Sequence, residues 1–126
     1  MPKVLIVDDE PHIRLLLEQT LEDLEDEGVE ILIADNGESA LEMIRRERPG
    51  IVFLDVMMPK MNGFDVCNRV KKLEPVDGIY IVLLTAKGQE FDKKRGVEVG
   101  ADRYMTKPFN PDEILAVAAE VLGITL

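Results

Sequence analysis

Val4-Leu5-Ile6-Val7-Asp8-Asp9-Glu10-Pro11 and Ile51-Val52-Phe53-Leu54-Asp55 are two short apolar runs that each end on acid. Runs this short, apolar throughout rather than alternating, read as strands buried on both faces, the signature of a parallel sheet. Open parallel sheets bind ligands outside the carboxyl ends of their strands, where the strand order reverses. Asp8, Asp9 and Asp55 are therefore expected at one edge of the sheet. Like charges packed together repel and raise one another's pKa, so the arrangement calls for a metal, a proton or a basic side chain.

Three further runs read as strands: Ile31 to Ala34, Ile79 to Leu84 and a weaker Arg103 to Met105. Helical patterns separate them. The first places Ile13, Leu16, Leu17, Leu21 and Leu24 on one face, the second Ala40, Leu41 and Ile44, and the third Val66, Cys67, Val70 and Leu73. The last carries Ile114, Leu115, Ala118, Val121 and Leu122; it opens on Asn110-Pro111-Asp112-Glu113 and closes at Gly123. Between these, a charged helix over about Gln89 to Glu98 offers only Phe91, Val97 and Val99 as sizeable apolar residues, and Gly96 costs about 1 kcal/mol against alanine. It is expected to be the loosest element, either a solvated surface helix or a face that rearranges or meets a partner. Strand and helix repeated five times predict an α/β sheet with helices on both faces.

The chain has 126 residues, a length that suits one domain, residues 1–126, with a single core. A net charge of -10 repels nucleic-acid backbones and anionic lipid, so neither direct DNA binding nor a membrane surface is expected. Cys67 has no partner for a disulfide, no apolar run approaches the length of a membrane span, and the N-terminus lacks a signal peptide's pattern, which together point to a cytoplasmic setting. Cys67 falls on the apolar stripe of its helix and reads as a packed small residue.

The acidic edge offers only oxygen ligands, which suits Mg²⁺ rather than zinc or copper. His12 reads as a surface residue of the first helical turn. Capping of the helix that starts at Asp9-Glu10-Pro11 would account for one aspartate, but not for two in succession with a third on another strand. Two other strand ends add a hydroxyl and an ammonium, Thr85 and Lys107. A cation, a hydroxyl and an ammonium around one carboxylate form the recurring kit of phosphoryl transfer, and aspartate can itself be the nucleophile. Asp55 is the candidate.

At this point the residues carry a resemblance. Val7-Asp8-Asp9-Glu10-Pro11, Asp55-Val56-Met57-Met58-Pro59-Lys60-Met61-Asn62-Gly63, Leu84-Thr85-Ala86 and Lys107-Pro108-Phe109 together resemble the CheY-like receiver domain of bacterial two-component response regulators, across essentially the whole chain. The resemblance implies a flavodoxin-like fold with strand order 2-1-3-4-5. It makes Asp55 the phosphoacceptor, taking a phosphoryl group from the phosphohistidine of a sensor histidine kinase or phosphotransfer protein. Asp9 and Asp55 would hold Mg²⁺ directly, Asp8 mainly through water, and the backbone carbonyl of Met57 would complete the protein's share. Thr85 would hydrogen-bond the phosphoryl group, Lys107 would ion-pair with it, Lys107-Pro108 would be cis, and Tyr104 would be the aromatic switch. Signal output would run through the face formed by the fourth helix, fifth strand and fifth helix, toward a downstream effector protein or a fused output domain, with a phosphorylation-dependent homodimer as a further possibility. Asn62 stands where the family often has aspartate, and Met57 and Lys87 occupy positions that influence phosphoryl lifetime. The resemblance thus implies a signalling module that catalyses only its own phosphotransfer and dephosphorylation.

Three rivals compete. A phosphatase of the haloacid dehalogenase kind places its nucleophile after the first strand in a DxDxT pattern, whereas here that strand ends Asp8-Asp9-Glu10-Pro11. A flavin carrier on the same fold needs a phosphate-cradling loop where this chain has acids. A receiver-like module that takes no phosphate would be expected to lack Asp55, Asp9 or Lys107, all of which are present.

Overall fold

The computed structural model describes residues 2–86 and 91–126. Among these, β1 (Lys3–Val7), β2 (Glu30–Ala34), β3 (Ile51–Asp55), β4 (Tyr80–Ala86) and β5 (Arg103–Lys107) alternate with α1 (Pro11–Thr20), α2 (Gly37–Glu47), α3 (Gly63–Asn68), α4 (Phe91–Glu98) and α5 (Pro111–Leu122). A short helical turn, Glu22–Glu25, follows α1, and a π-helical turn, Arg69–Leu73, continues α3. The strands form one parallel sheet in the order β2-β1-β3-β4-β5, the flavodoxin-like arrangement expected. Gln89, where the fourth helix was expected to begin, and Lys87 lie outside the described residues.

The central strands are apolar throughout because both of their faces are covered. Successive side chains alternate across the sheet. Leu5, Val7, Val52, Leu54, Ile81 and Leu83 pack against Ala40, Leu41 and Ile44 of α2 and Val66 and Cys67 of α3. Val4, Ile6, Ile51, Phe53, Val82 and Leu84 pack on the other face against Leu17 of α1 and Ile114, Val117 and Ala118 of α5. Burial of this kind contributes on the order of 1.5–3 kcal/mol for each large side chain.

Asparagine starts three helices. Asn36, Asn62 and Asn110 each accept a backbone N–H through Oδ1 at 2.9 Å, from Ser39, Asp65 and Asp112 respectively. Asn62 thus caps α3. At the far end of α5 Gly123 takes φ 71°, and the Ile124 N–H returns to the Ala119 carbonyl at 2.8 Å, closing the helix where expected.

Three local readings change. β4 and β5 run on to Ala86 and Lys107, carrying Thr85 and Lys107 within the strands rather than beyond them, because the neighbouring ladder continues through Thr85↔Thr106 and Ala86↔Lys107. Leu16 is 42% exposed, whereas Leu17, Leu21 and Leu24 are fully buried, so the buried stripe of α1 is narrower than its apolar pattern. Leu73 is 63% exposed. The cause is the π turn: the Glu74 N–H reaches back five residues to the Arg69 carbonyl at 2.9 Å, which widens the turn and swings Leu73 off the stripe that keeps Val70 buried.

Candidate functional site

The topology brings the acids together. Val7 lies opposite Leu54 in the β1–β3 ladder, so Asp8 and Asp55 come level at the carboxyl ends of adjacent strands, in the crevice where β1 separates β2 from β3. Asp8 is fully buried. Its Oδ1 accepts the Glu10 N–H at 2.9 Å and its Oδ2 accepts from Lys107 Nζ at 2.8 Å. The same ammonium donates to Asp55 Oδ1 at 3.1 Å, so one cation from β5 serves two buried carboxylates from β1 and β3. Arg14 on α1 donates to the Asp8 carbonyl at 2.8 Å and anchors the turn that follows β1.

Asp55 is 5% exposed, and its carboxyl is pushed up to about 6. Burial is the largest cause, repulsion from Asp8 adds to it, Lys107 opposes it, and Asp9 raises it further. Lys107 is pulled down by burial, but the bond to Asp8 and the charge of Asp55 outweigh that and hold it above its ordinary value. The Lys107-Pro108 peptide is cis. Thr85 is buried, 2% exposed, one position short of the Ala86↔Lys107 pair on β4. Tyr104 is half-buried on β5, opposite Leu83.

The loop after β3 is held close to the site by a glycine. Gly63 donates its N–H to the Val56 carbonyl at 2.9 Å, and a Cβ there would stand 2.4 Å from the Asp55 carbonyl oxygen, so only glycine allows α3 to begin this near the acid. Met57, in that loop, has an exposed side chain.

For a cation the donors are all hard oxygens. One carboxylate oxygen from each of Asp8, Asp9 and Glu10 lies within 4.8 Å of the others. That donor set fits Mg²⁺ and offers nothing to a soft metal. The sequence pattern marks Glu10 only as part of a helix start, although its place directly after Asp8-Asp9 is itself a signal for a cation ligand. The cap itself is made differently from the simple expectation. Glu10 stands at the N-cap of α1 with no side-chain bond to the helix, and Asp8 rather than Asp9 takes up a backbone N–H there, leaving Asp9 exposed. His12 is 74% exposed at its side chain and 3.4 Å from Glu10, a surface residue as expected. Cys67 is buried, with its thiol pushed up to about 12 by burial, which makes it a packing group.

Buried acids sharing a lysine at the mouth of a 2-1-3-4-5 sheet are matched by family membership. Residues 4–119 match the family described as "Response regulator receiver domain". The chain belongs to this receiver family. It is 46% identical over 120 residues to the probable transcriptional regulator ycf27 of Porphyra purpurea, a match covering 95% of this chain and 47% of that protein. It is 43% identical over 120 residues to the alkaline phosphatase synthesis transcriptional regulatory protein PhoP of Bacillus subtilis (strain 168), covering 95% and 48%. The receiver thus spans about half the length of the curated relatives it matches. Its fold superposes on a putative response regulator from Chloroflexus aurantiacus J-10-fl with a TM-score of 0.84 and 34% identity, covering 98% and 99% of the two chains. Among the described residues no helix is long and apolar enough to cross a membrane.

Proposed function

We propose that this receiver is activated by phosphorylation at Asp55, which accepts a phosphoryl group from the phosphohistidine of a sensor histidine kinase or phosphotransfer protein and switches the α4–β5–α5 face. The observation that carries the reading is the lysine shared between Asp8 and Asp55, at 2.8 and 3.1 Å, over a buried carboxyl raised to about 6. In the transfer, a new P–O bond forms to an Asp55 oxygen as the P–N bond to imidazole breaks, and the imidazole leaves with the electron pair. Lys107 is held to receive a phosphoryl oxygen, and Thr85, buried beside it on β4, donates its hydroxyl to another. Mg²⁺ supplies, when bound, positive charge that offsets the phosphoryl oxygens. Asp8, Asp9 and Asp55, with the Met57 backbone carbonyl, are the residues proposed to hold it, and the oxygen donors of the Asp8-Asp9-Glu10 group support that assignment.

Phosphorylation adds roughly -1.5 to -2 of charge at neutral pH to a site that already repels anions. That charge draws Thr85, and Tyr104 follows as the switch residue on the neighbouring strand, so that a local covalent event biases a bistable surface. Residues 1–126 act in this reading as one receiver domain in the cytoplasm. Output passes to a downstream effector protein or a fused output domain, or through a phosphorylation-dependent homodimer, without direct nucleic-acid contact by these residues. The test is mass spectrometry after incubation with acetyl phosphate, with and without Mg²⁺, on the wild type and Asp55→Asn. Uptake of one phosphoryl group by the wild type with Mg²⁺ alone supports the reading, and equal uptake by the variant overturns it.

A further inference from the structure

Glycine weakens a helix relative to alanine, and α4 has few apolar anchors to compensate, so Gly96 in its last turn calls for a reason. The structure supplies one in the form of a close approach. A Cβ at position 96 would stand 3.0 Å from Cδ2 and 3.4 Å from Cε2 of the Tyr104 ring, and 3.3 Å from Cδ1 of Leu83. Carbon atoms rest comfortably at about 3.5–4.0 Å, so the bare backbone of α4 lies directly on the edge of the ring. Leu83 and Tyr104 face each other across the β4–β5 ladder. Leu83 and Thr85, two positions apart on β4, point to the same face of the sheet. On the neighbouring position of α4, the Arg95 guanidinium sits 5.9 Å from the ring centroid of Phe64, the residue that follows the Gly63 packed on Asp55.

We propose that Gly96 is a positioning residue for the switch: its missing side chain leaves the notch in which the Tyr104 ring edge lies, so ring and helix move as one unit. This rests on the reading of Tyr104 as the switch and of Asp55 as the phosphoacceptor. Crowding the notch pushes the ring outward by a few tenths of an ångström and uncouples it from α4. A glycine kept merely for helix flexibility would show no dependence on what stands at position 104.

Four proteins test it: wild type, Gly96→Ala, Tyr104→Leu and the double variant. Each is followed by Tyr104 ring resonances or, in the leucine variants, by α4 and β5 amide resonances, with and without beryllofluoride. Urea midpoints and phosphoryl uptake from acetyl phosphate complete the set. Gly96→Ala is expected to keep uptake at Asp55 but to lose most of the beryllofluoride-induced shift of the Tyr104 ring. It is expected to raise the urea midpoint only in the Tyr104→Leu background, where the helical advantage of alanine is no longer offset by the ring. An intact ring shift in Gly96→Ala, or an equal rise of the midpoint in both backgrounds, overturns the proposal while leaving the phosphoacceptor assignment standing. Absence of uptake and of any shift in the wild type overturns both.

Discussion

Asp8 and Asp55 end adjacent strands, are both buried and both accept from Lys107, yet their surroundings differ. Asp8 has the shorter lysine contact, 2.8 against 3.1 Å, and a backbone N–H from Glu10 besides. Asp55 has the longer contact, and burial first, then repulsion from Asp8 and Asp9, push its carboxyl up to about 6. The difference separates a carboxylate held by two hydrogen bonds from one whose charge is less well compensated. In the proposed reading, a phosphoryl group on Asp55 would trade one poorly compensated anion for oxygens that Lys107 and Thr85 would engage.

Removing the cation that both share should have the largest effect. Lys107→Ala leaves two buried acids facing each other and is expected to cost about 3–5 kcal/mol in urea unfolding at neutral pH with chelator present. A loss below about 1 kcal/mol, the range of an exposed ion pair, would mean that the lysine contacts carry no structural weight.

Asp55→Asn should move stability the other way. A folded pKa of about 6 against 3.8 unfolded means that the native state binds the extra proton, so stability falls as pH rises from about 4 to about 6 and is flat above. The penalty at neutral pH is at most about 3 kcal/mol, reduced by water at the open end of the sheet. Removing the charge should recover it and flatten that stretch of the profile in metal-free buffer. A variant whose stability still falls between those pH values would assign the titration to another group. Added Mg²⁺ should then raise the melting temperature of the wild type more than that of Asp55→Asn, as differential scanning fluorimetry can read.

By contrast Asp8→Asn is expected to destabilise by about 1.5–3 kcal/mol, the value of a charge-assisted hydrogen bond. Equal signs for the two asparagine variants in chemical denaturation would erase the distinction between the acids. The smallest effect belongs to the loop that holds Asp55 in place: Asn62→Ala removes the cap of α3 and should cost about 1 kcal/mol, with amide-exchange protection lost first over residues 63–66.

Much of this was legible in one dimension. Four apolar residues followed by acid identify a strand buried on both faces and the end at which it stops, and the alternation with helical patterns leaves few ways to arrange five such strands. Asn110-Pro111 and Gly123 mark the limits of α5 because caps act locally, through bonds that span only a few residues. The oxygen-only donor set and the candidates Asp8, Asp9, Asp55, Thr85 and Lys107 stand out by their places at strand ends, whereas Tyr104 is a candidate only through the family resemblance. Leu73 leaves its predicted stripe because a π turn changes the helical period without an obvious local mark, and Leu16 stays exposed because an apolar stripe does not say how much of its width the core can use.

Features that depend on near neighbours can be read along the chain: strand ends, caps, the period of most helices and the kinds of chemical group at the edge of the sheet. Assembly of the sheet is what lets Lys107 serve Asp8 and Asp55 from 99 and 52 residues away, and what lays α4 so close that a Cβ on Gly96 would stand 3.0 Å from the Tyr104 ring edge. The reason is physical. Ionisation and steric fit depend on distances of a few ångströms between groups remote along the chain, and those distances exist only once the sheet has been assembled.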